Sequence, residues 1–496
     1  MSTTEQPPVA ESAGLLDGFD WTGKIYTDGW VDAPATIDTY EPATGELLGS
    51  AGMADAETIA RASELAAKVQ PEWASTLMTE RIAILERVAD GLLRHHDEYL
   101  QWMIRESGCI PPKGSHEINA SVGQIQLANS LINATLGHVL PSITPGRTST
   151  AMRVPIGVVG VICPWNFPLV LAMRSLAPAL VLGNTVILKS DPNTPVCGGV
   201  LLARLFEEAG LPKGVLQVVC GDADTGQAMC EDPRIRMISF TGSTAAGRKV
   251  GETCGRTLKR VVLELGGNSP LIVLDDADID VASSAGAWGS FGHQGQICLA
   301  TSRHIVHENV IEAYLEALVE RAKRLPAGNP ATDEVALGPL INSRQVQRVQ
   351  RIVDESIAQG AAALTGGKPD GPFFPATVLA DVSPTMPAFA EEIFGPVAPV
   401  VPFRTDEEAI ALANDTEYGL TAAVQGSVAR AQAIADRIHA GMVHVNDTTV
   451  NEEPPAPFGG FGASGNGGHF GGVTQLEQWT EWQWRTSRTK GEPFPF

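Results

Sequence analysis

Between Arg153 and Cys254 the chain alternates between short apolar runs rich in β-branched residues and longer amphipathic runs, with glycine at the joints. "VPIGVVGVICPW" is apolar from end to end, as a strand covered on both faces of a sheet is. "RSLAPALVLGNTVILKSDP" reads as helix, glycine turn and strand, and "PVCGGVLLARLFEEAGLPKGVLQVVCG" repeats the unit. "RIRMISFTGSTAAGRKVGETC" gives strand, glycine turn and helix. Strands that alternate with helices are joined by right-handed crossovers, which forces a parallel sheet with helices over its faces. An α/β domain of the dinucleotide-binding type follows from this pattern.

At 496 residues the chain is too long for one core, so two or three domains are expected. A second alternating block runs from "SPLIVLDDADIDVASSAGAWGSFGHQGQICLA" to about residue 455 and predicts a second α/β domain. Ahead of the first, "DAETIARASELAAKV" and "MTERIAILERVADGLLRHHDEYLQWMIRES" carry apolar positions at helical spacing. Residues 1–20 read as a mobile leader. Near the other end "EQWTEWQWRTSR" alternates as a half-exposed strand does, and its tryptophans predict pairing with another subunit.

Several function classes drop out. With 35 Lys and Arg against 57 Asp and Glu, a formal net charge of −22, the chain repels nucleic acid and anionic membranes on average. Seven scattered cysteines without a CxxC pair, and ten histidines without HExxH, predict no disulfide framework and no metal site. The apolar stretch Ile156–Leu188 is broken by Pro164, Asn166, Pro168, Arg174 and Pro178, so no membrane span is expected. The acidic N-terminal segment lacks the features of a signal or transit peptide, and a cytoplasmic protein is expected. Serine hydrolases and P-loop enzymes lack their GxSxG and GxxxxGK[ST] sequences here.

Four short stretches carry chemistry. "PWNFP" places Asn166 beyond the end of an expected parallel strand, where an amide donor suits an oxyanion and where an Asx turn is the plainer explanation. "SFTGSTAAGRKV" ends a strand at Thr241-Gly242-Ser243 and opens a helix whose free N–H groups suit a pyrophosphate, or forms an ordinary turn. "LELGGNSP" sets Glu264 at an apolar strand end, as a base of raised pKa or as a carboxylate turned to water. In "FGHQGQICLA", Cys298 is expected near a helix start that lowers its pKa, or is an inert small hydrophobe.

The order Asn166, Ser243, Glu264, Cys298, with "APALVLGNTVILK", "EEIFGPV" and "PFGG", resembles the aldehyde dehydrogenase superfamily over nearly the whole chain after the leader. The resemblance implies an α/β fold with a Rossmann-type cofactor domain (residues 21–132 and 154–264), a catalytic α/β domain (265–455) and a small β oligomerisation element (133–153 and 478–496). It further implies a Cys298 thiolate that attacks an aldehyde, an oxyanion held by Asn166 and the Cys298 amide, and Glu264 as the base that hydrolyses the thioester to a carboxylic acid. Lys189, Ser243, Gly242, Glu392, Phe394, Ile162, Trp165 and Gly226 match cofactor positions.

Some positions depart from the family's common pattern. Pro192 stands where NAD-selective members carry Glu, three residues after Lys189, so both NAD and NADP are expected, with Asp191 as a partial substitute for that carboxylate. Arg174 and Ser175 replace a Trp-Lys pair, and Gly462 replaces the lysine of "PFGGxK". "FGHQGQIC", "KSDPNTP" and "PFGGFGASGNGGHFGG" look most like the benzaldehyde and vanillin dehydrogenase branch, with Phe167, Arg174, His293 and Phe458 expected in the substrate pocket. Arg174 either meets a ring substituent or pairs with a carboxylate. A homodimer or homotetramer is expected, without membrane or nucleic-acid partners. The alternatives are a CoA-acylating or aliphatic aldehyde dehydrogenase, a thiol hydrolase that uses His293, or a non-catalytic relative.

Overall fold

The computed structural model describes residues 14–491 and 493–496. The expected leader therefore lies outside the described residues as far as residue 13. From Gly14 the chain is docked: Leu15 is buried, and the amides of Leu15 and Leu16 donate to the Glu98 carboxylate at 2.5 and 3.0 Å. Phe19 packs on Trp30 and under the Arg204 guanidinium. The polar composition of the first dozen residues hides these apolar anchors.

Two antiparallel pairs follow, β1 (Lys24–Thr27) with β2 (Gly29–Asp32) and β3 (Ala35–Tyr40) with β4 (Leu47–Met53). Then come α1 (Ala56–Ser75), α2 (Met78–Arg94), α3 (His96–Ser107) and α4 (Pro111–Asn129). Asp55 starts α1 by accepting from the Thr58 amide at 2.8 Å. The single run of helical periodicity from Met78 to Ser107 is two helices, broken at His95, whose ring is buried against Glu208 at 2.9 Å.

After β5 (Gly137–Leu140) and β6 (Arg147–Pro155) the chain enters the alternating region: β7 (Val158–Ile162), α5 (Pro168–Val181), β8 (Thr185–Ser190), α6 (Leu201–Glu208), β9 (Leu216–Cys220), α7 (Ala223–Glu231), β10 (Ile235–Thr241), α8 (Thr244–Arg256) and β11 (Arg260–Glu264). The five strands β7 to β11 are parallel in the order β11-β10-β7-β8-β9, and β1, β2, β3 and β4 extend the sheet to nine strands. Strand order reverses between β7 and β10, which opens a crevice at their C-terminal ends.

Only residues 265–268 separate β11 from β12 (Ser269–Val273), the first strand of a second sheet. Its remaining elements are α9 (Ile279–Phe291), β13 (Thr301–His307), α10 (Ile311–Lys323), α11 (Ser343–Ala358), β14 (Ala362–Thr365), β15 (Thr377–Ala380), α12 (Pro387–Ala390), β16 (Val397–Phe403), α13 (Asp406–Asn414), β17 (Thr421–Gln425), α14 (Val428–Ala435) and β18 (Met442–Val445). The seven strands run β14-β15-β16-β13-β12-β17-β18, parallel except for β14. The C-terminal edge of the first sheet thus faces the N-terminal edge of the second across four residues.

The chain closes with α15 (Gln475–Trp479) and β19 (Thr480–Arg488). The strand expected to pair with another subunit first pairs within its own chain: β19 runs antiparallel to β6 from Thr480 opposite Pro155 to Arg488 opposite Arg147. Its other edge carries no strand among the described residues, and Trp482 and Trp484 are exposed. Among the described residues no helix is long and apolar enough to cross a membrane, and no group of three His, Cys, Asp or Glu is placed to hold a metal ion.

Candidate active site

The paired glycines of "LELGG" are where three distant motifs touch. A Cβ on Gly266 would sit 2.5 Å from Glu392 Oε2, and one on Gly267 would sit 2.5 Å from the Cys298 carbonyl oxygen. The Gly267 amide donates to Glu392 Oε1 at 3.1 Å. Gly295, at φ 67°, leaves no room for a side chain either, because its Cβ would lie 2.2 Å from the Gly395 carbonyl. "LELGG", "GQIC" and "EEIFGPV" therefore pack closely on one another, and glycine is required where they do.

Cys298 does not lie at a helix start. It follows α9 and a short 3₁₀ turn, and the next element is β13. Without that dipole, burial pushes the thiol up to about 12, partly opposed by the Arg174 charge. His293 and Gln294, just before it, hold φ of 47° and 55°, conformations that cost non-glycine residues roughly 1–3 kcal/mol each and concentrate at functional loops.

Asn166 lies between β7 and α5, buried, and its side-chain amide donates to the Gln296 carbonyl at 2.9 Å, two residues before Cys298. Glu264 ends β11 and is buried with neither carboxylate oxygen partnered. Burial holds it well above the usual carboxylate range, against the pull of Arg174 and with the push of Glu452. It is not turned to water. Its edge strand is closed by the tail: the Leu265 amide donates to the Ser464 carbonyl at 2.9 Å, the Leu263 amide to Asn466 Oδ1 at 3.0 Å, and Asn466 Nδ2 to the Val261 carbonyl at 2.9 Å.

Arg174, on α5, is buried and pairs with the Glu452 carboxylate, its guanidinium 4.1 Å from the Phe458 ring centroid and 5.7 Å from that of Phe470. Of the two expectations for Arg174, carboxylate pairing is observed. Ser175 hydrogen-bonds Ser239 at 3.0 Å. Gly462 adopts φ 56° with its Cβ direction 2.6 Å from the Glu417 carbonyl, so a lysine does not fit there without moving the backbone. His293 is buried, with Nε2 3.0 Å from the Asn166 carbonyl and its ring edge-on to Phe167 at 5.4 Å. Cys298, Phe167, Phe458 and Phe470 belong to one apolar cluster.

The cofactor-matched residues gather along the crevice of the first sheet. A Cβ on Gly226 of α7 would make ordinary contact, 3.7 Å, with both Ile162 and Lys189. Lys189 Nζ donates to the carbonyls of Gly221 and Ser190. Ser243 caps α8 by accepting from the Ala246 amide at 3.3 Å, and the Gly242 amide donates to the Glu264 carbonyl at 3.0 Å. Trp165 stands edge-on to Phe394 at 5.5 Å, and Phe394 sits at φ 56°. Burial pushes Glu392 up to about 7, with the Gly267 amide opposing. Asp191 is committed to its own turn, its Oδ1 accepting from the Asn193 amide at 2.9 Å and side chain at 2.6 Å. A glycine-lined crevice at the strand reversal, with a helix start and a lysine beside it, fits a dinucleotide.

The profile of the aldehyde dehydrogenase family matches residues 30–485. This chain belongs to that family. Aldehyde dehydrogenases oxidise aldehydes to carboxylic acids with NAD(P), and this chain is such an enzyme. It is 50% identical over 485 residues to a vanillin dehydrogenase of Amycolatopsis sp., covering 97% of this chain and 100% of the relative. It is 48% identical over 478 residues to a protein of Pseudomonas putida named benzaldehyde dehydrogenase (NAD(+)), covering 96% and 98%. The crystal structure of a salicylaldehyde dehydrogenase from Pseudomonas putida G7, complexed with salicylaldehyde, superposes with a TM-score of 0.91 at 34% identity, covering 96% and 99%.

Lys113, Glu117, Gln296, Glu452, Ser464 and Asn466 contact Asn166, the start of α5, Arg174 or the strand that ends in Glu264, and were not singled out from sequence. The i, i+4 spacing of Lys113 and Glu117 in helix α4 is the one signal that marks any of them. His304 forms a fully satisfied buried chain with Ser290 and Tyr314, both at 2.7 Å, and is structural.

Proposed function

We propose that this aldehyde dehydrogenase oxidises aromatic aldehydes of the benzaldehyde and vanillin kind, with Cys298 as nucleophile, Asn166 as oxyanion donor and Glu264 as hydrolytic base. The observation that carries the assignment is the direct tie from the Asn166 amide to Gln296 beside Cys298, in a site where a buried carboxylate has no partner. With its proton already lost, the Cys298 sulfur attacks the carbonyl carbon as thiolate, and the oxyanion is received by the Asn166 side chain and the Cys298 amide. A nicotinamide cofactor held along Lys189, Ser243, Glu392 and Phe394 would supply the hydride acceptor, and loss of hydride from the adduct leaves a thioester on Cys298. Water then adds to the thioester, Glu264 takes its proton, and the thiolate leaves with release of the acid. A carboxyl of raised pKa, unencumbered by hydrogen bonds, is suited to that proton transfer.

The aromatic assignment rests on the named relatives. Use of both NAD and NADP is supported by Pro192 and by the engagement of Asp191 in its own turn. The long exposed edge of β19 supports a homodimer or homotetramer built on residues 133–153 and 478–496, with residues 21–132 and 154–264 holding the cofactor and 265–455 the nucleophile. Seven unpaired cysteines support a cytoplasmic setting.

Product analysis with benzaldehyde, in the presence and absence of CoA, tests the reaction: the expected product is the acid in both, and acyl-CoA would overturn the role of Glu264. Cys298→Ser is expected to abolish oxidation. Glu264→Gln is expected to give one burst of reduced cofactor and then stall; ordinary turnover would remove Glu264 as the base.

A further inference from the structure

The Asn166 peptide is held from three sides by groups the reaction itself does not use. Its carbonyl oxygen accepts from Lys113 Nζ at 2.8 Å and from His293 Nε2 at 3.0 Å. A carbonyl only accepts, so His293 carries its proton on Nε2, and two donors occupy both lone pairs. The three ammonium directions of Lys113 are accounted for by this carbonyl, Glu117 Oε2 at 2.5 Å and the face of the Phe167 ring at 4.2 Å. Glu117 Oε1 accepts from the amides of Leu169 and Val170 at 2.8 and 3.2 Å, the first turn of α5. Helix α4 thus grips both Asn166, two residues before α5, and the start of α5 itself.

Buried ion pairs are poor scaffolding. Lys113 and Glu117 side chains are 8% and 0% exposed, and an apolar pair of similar volume generally stabilises a fold as well or better. His293 adds a strained backbone in order to place its ring. This outlay is explained if the orientation of the Asn166 peptide matters more than stability. The Asn166 amide has two hydrogens; one is held by Gln296, and the direction of the other follows from how the peptide is fixed.

We propose that Lys113 and His293, with Glu117 behind Lys113, are positioning residues that aim the free N–H of the Asn166 side chain at the developing oxyanion. This rests on the assignment of Asn166 as the oxyanion donor. Neither residue touches the reacting atoms; each acts through Asn166.

The test compares His293→Leu, His293→Gln, Lys113→Met and Asn166→Ala in the full-length enzyme. Three readouts are taken: benzaldehyde oxidation, the acylation burst with p-nitrophenyl acetate, and alkylation of Cys298 by iodoacetamide. Alkylation forms no oxyanion, so it reports the thiol alone. His293→Leu and Lys113→Met are expected to lower kcat and the acylation rate about 10- to 100-fold, as for misaimed oxyanion donors, with KM and alkylation within threefold. His293→Gln, which keeps a donor, is expected to recover most of the loss. Normal kcat in both His293→Leu and Lys113→Met, beside a large loss in Asn166→Ala, would overturn the positioning role and leave the oxyanion donor standing. Parallel loss of alkylation and acylation in His293→Leu would also overturn it, by showing that the residue supports Cys298 instead. Full activity in Asn166→Ala would remove the oxyanion assignment itself.

Discussion

Gly267→Ala isolates the contact between the two sheets at Cys298, the proposed nucleophile. The added Cβ would meet the Cys298 carbonyl at 2.5 Å, and Leu420 stands on another side at 3.3 Å. An ordinary Cβ contact begins near 3.4 Å, so one partner must move by about 0.9 Å, and the obstacle is backbone. A shift of that size at a reacting group costs about a hundredfold in rate, or about 3 kcal/mol of barrier. The strain itself is expected to lower stability by roughly 1–3 kcal/mol. The neighbouring Gly266→Ala meets a side-chain carboxylate, that of Glu392, which can swing away. It is therefore expected to act on the KM for the cofactor more than on kcat. Steady-state benzaldehyde oxidation at saturating cofactor, with thermal unfolding as a control, separates the two. A Gly267→Ala enzyme with kcat within threefold of the parent would refute the claim that this glycine sets the position of Cys298.

Three further outcomes are expected. Pro192→Glu should lower kcat/KM for NADP at least about tenfold relative to NAD, since a carboxylate near a phosphate is repelled by more than about 1.4 kcal/mol even when partly screened; an unchanged NADP to NAD ratio would refute the placement. Glu106 is buried on the amides of Val196 and Cys197, and burial raises its carboxyl from 4.5 to about 7. Between those values the unfolded chain is the more ionised, so stability falls as pH rises from 4.5 to 7, by on the order of 3 kcal/mol for this group, and levels off above. Denaturant midpoints in Glu106→Gln should lose that share of the decline. Trp482→Lys with Trp484→Lys should shift the enzyme to a smaller species in sedimentation velocity, and an unchanged assembly would move the interface away from β19.

The parallel part of the first sheet was legible because β-branched runs and glycine joints repeat from Val154 to Cys254, whereas the antiparallel strands β1–β4 that extend it were not expected. Local periodicity failed at His95, where the chain breaks between two helices and the His95 ring meets Glu208, more than a hundred residues away. It failed again at Cys298: a glycine-rich turn looks alike before and after a helix, and only the fold shows that α9 has ended. The site residues that bear chemistry stood out by type in motifs. Their supports did not, because Lys113, Glu117 and Asn466 gain meaning only through backbone atoms that no spacing rule brings near them.

The tail that closes β11 sets an order on synthesis. Glu264 ends an edge strand whose outer side is filled by Ser464, Gly465 and Asn466, about two hundred residues later in the chain. On a growing polypeptide, Cys298 and Asn166 are made long before that edge is covered. The Glu264 carboxylate, the proposed base, reaches its walled position only once residues 464–466 have been made and have folded back onto β11. A product ending before them would hold the thiol without the finished seat for its proposed base, so any acyl group it picked up would be slow to leave.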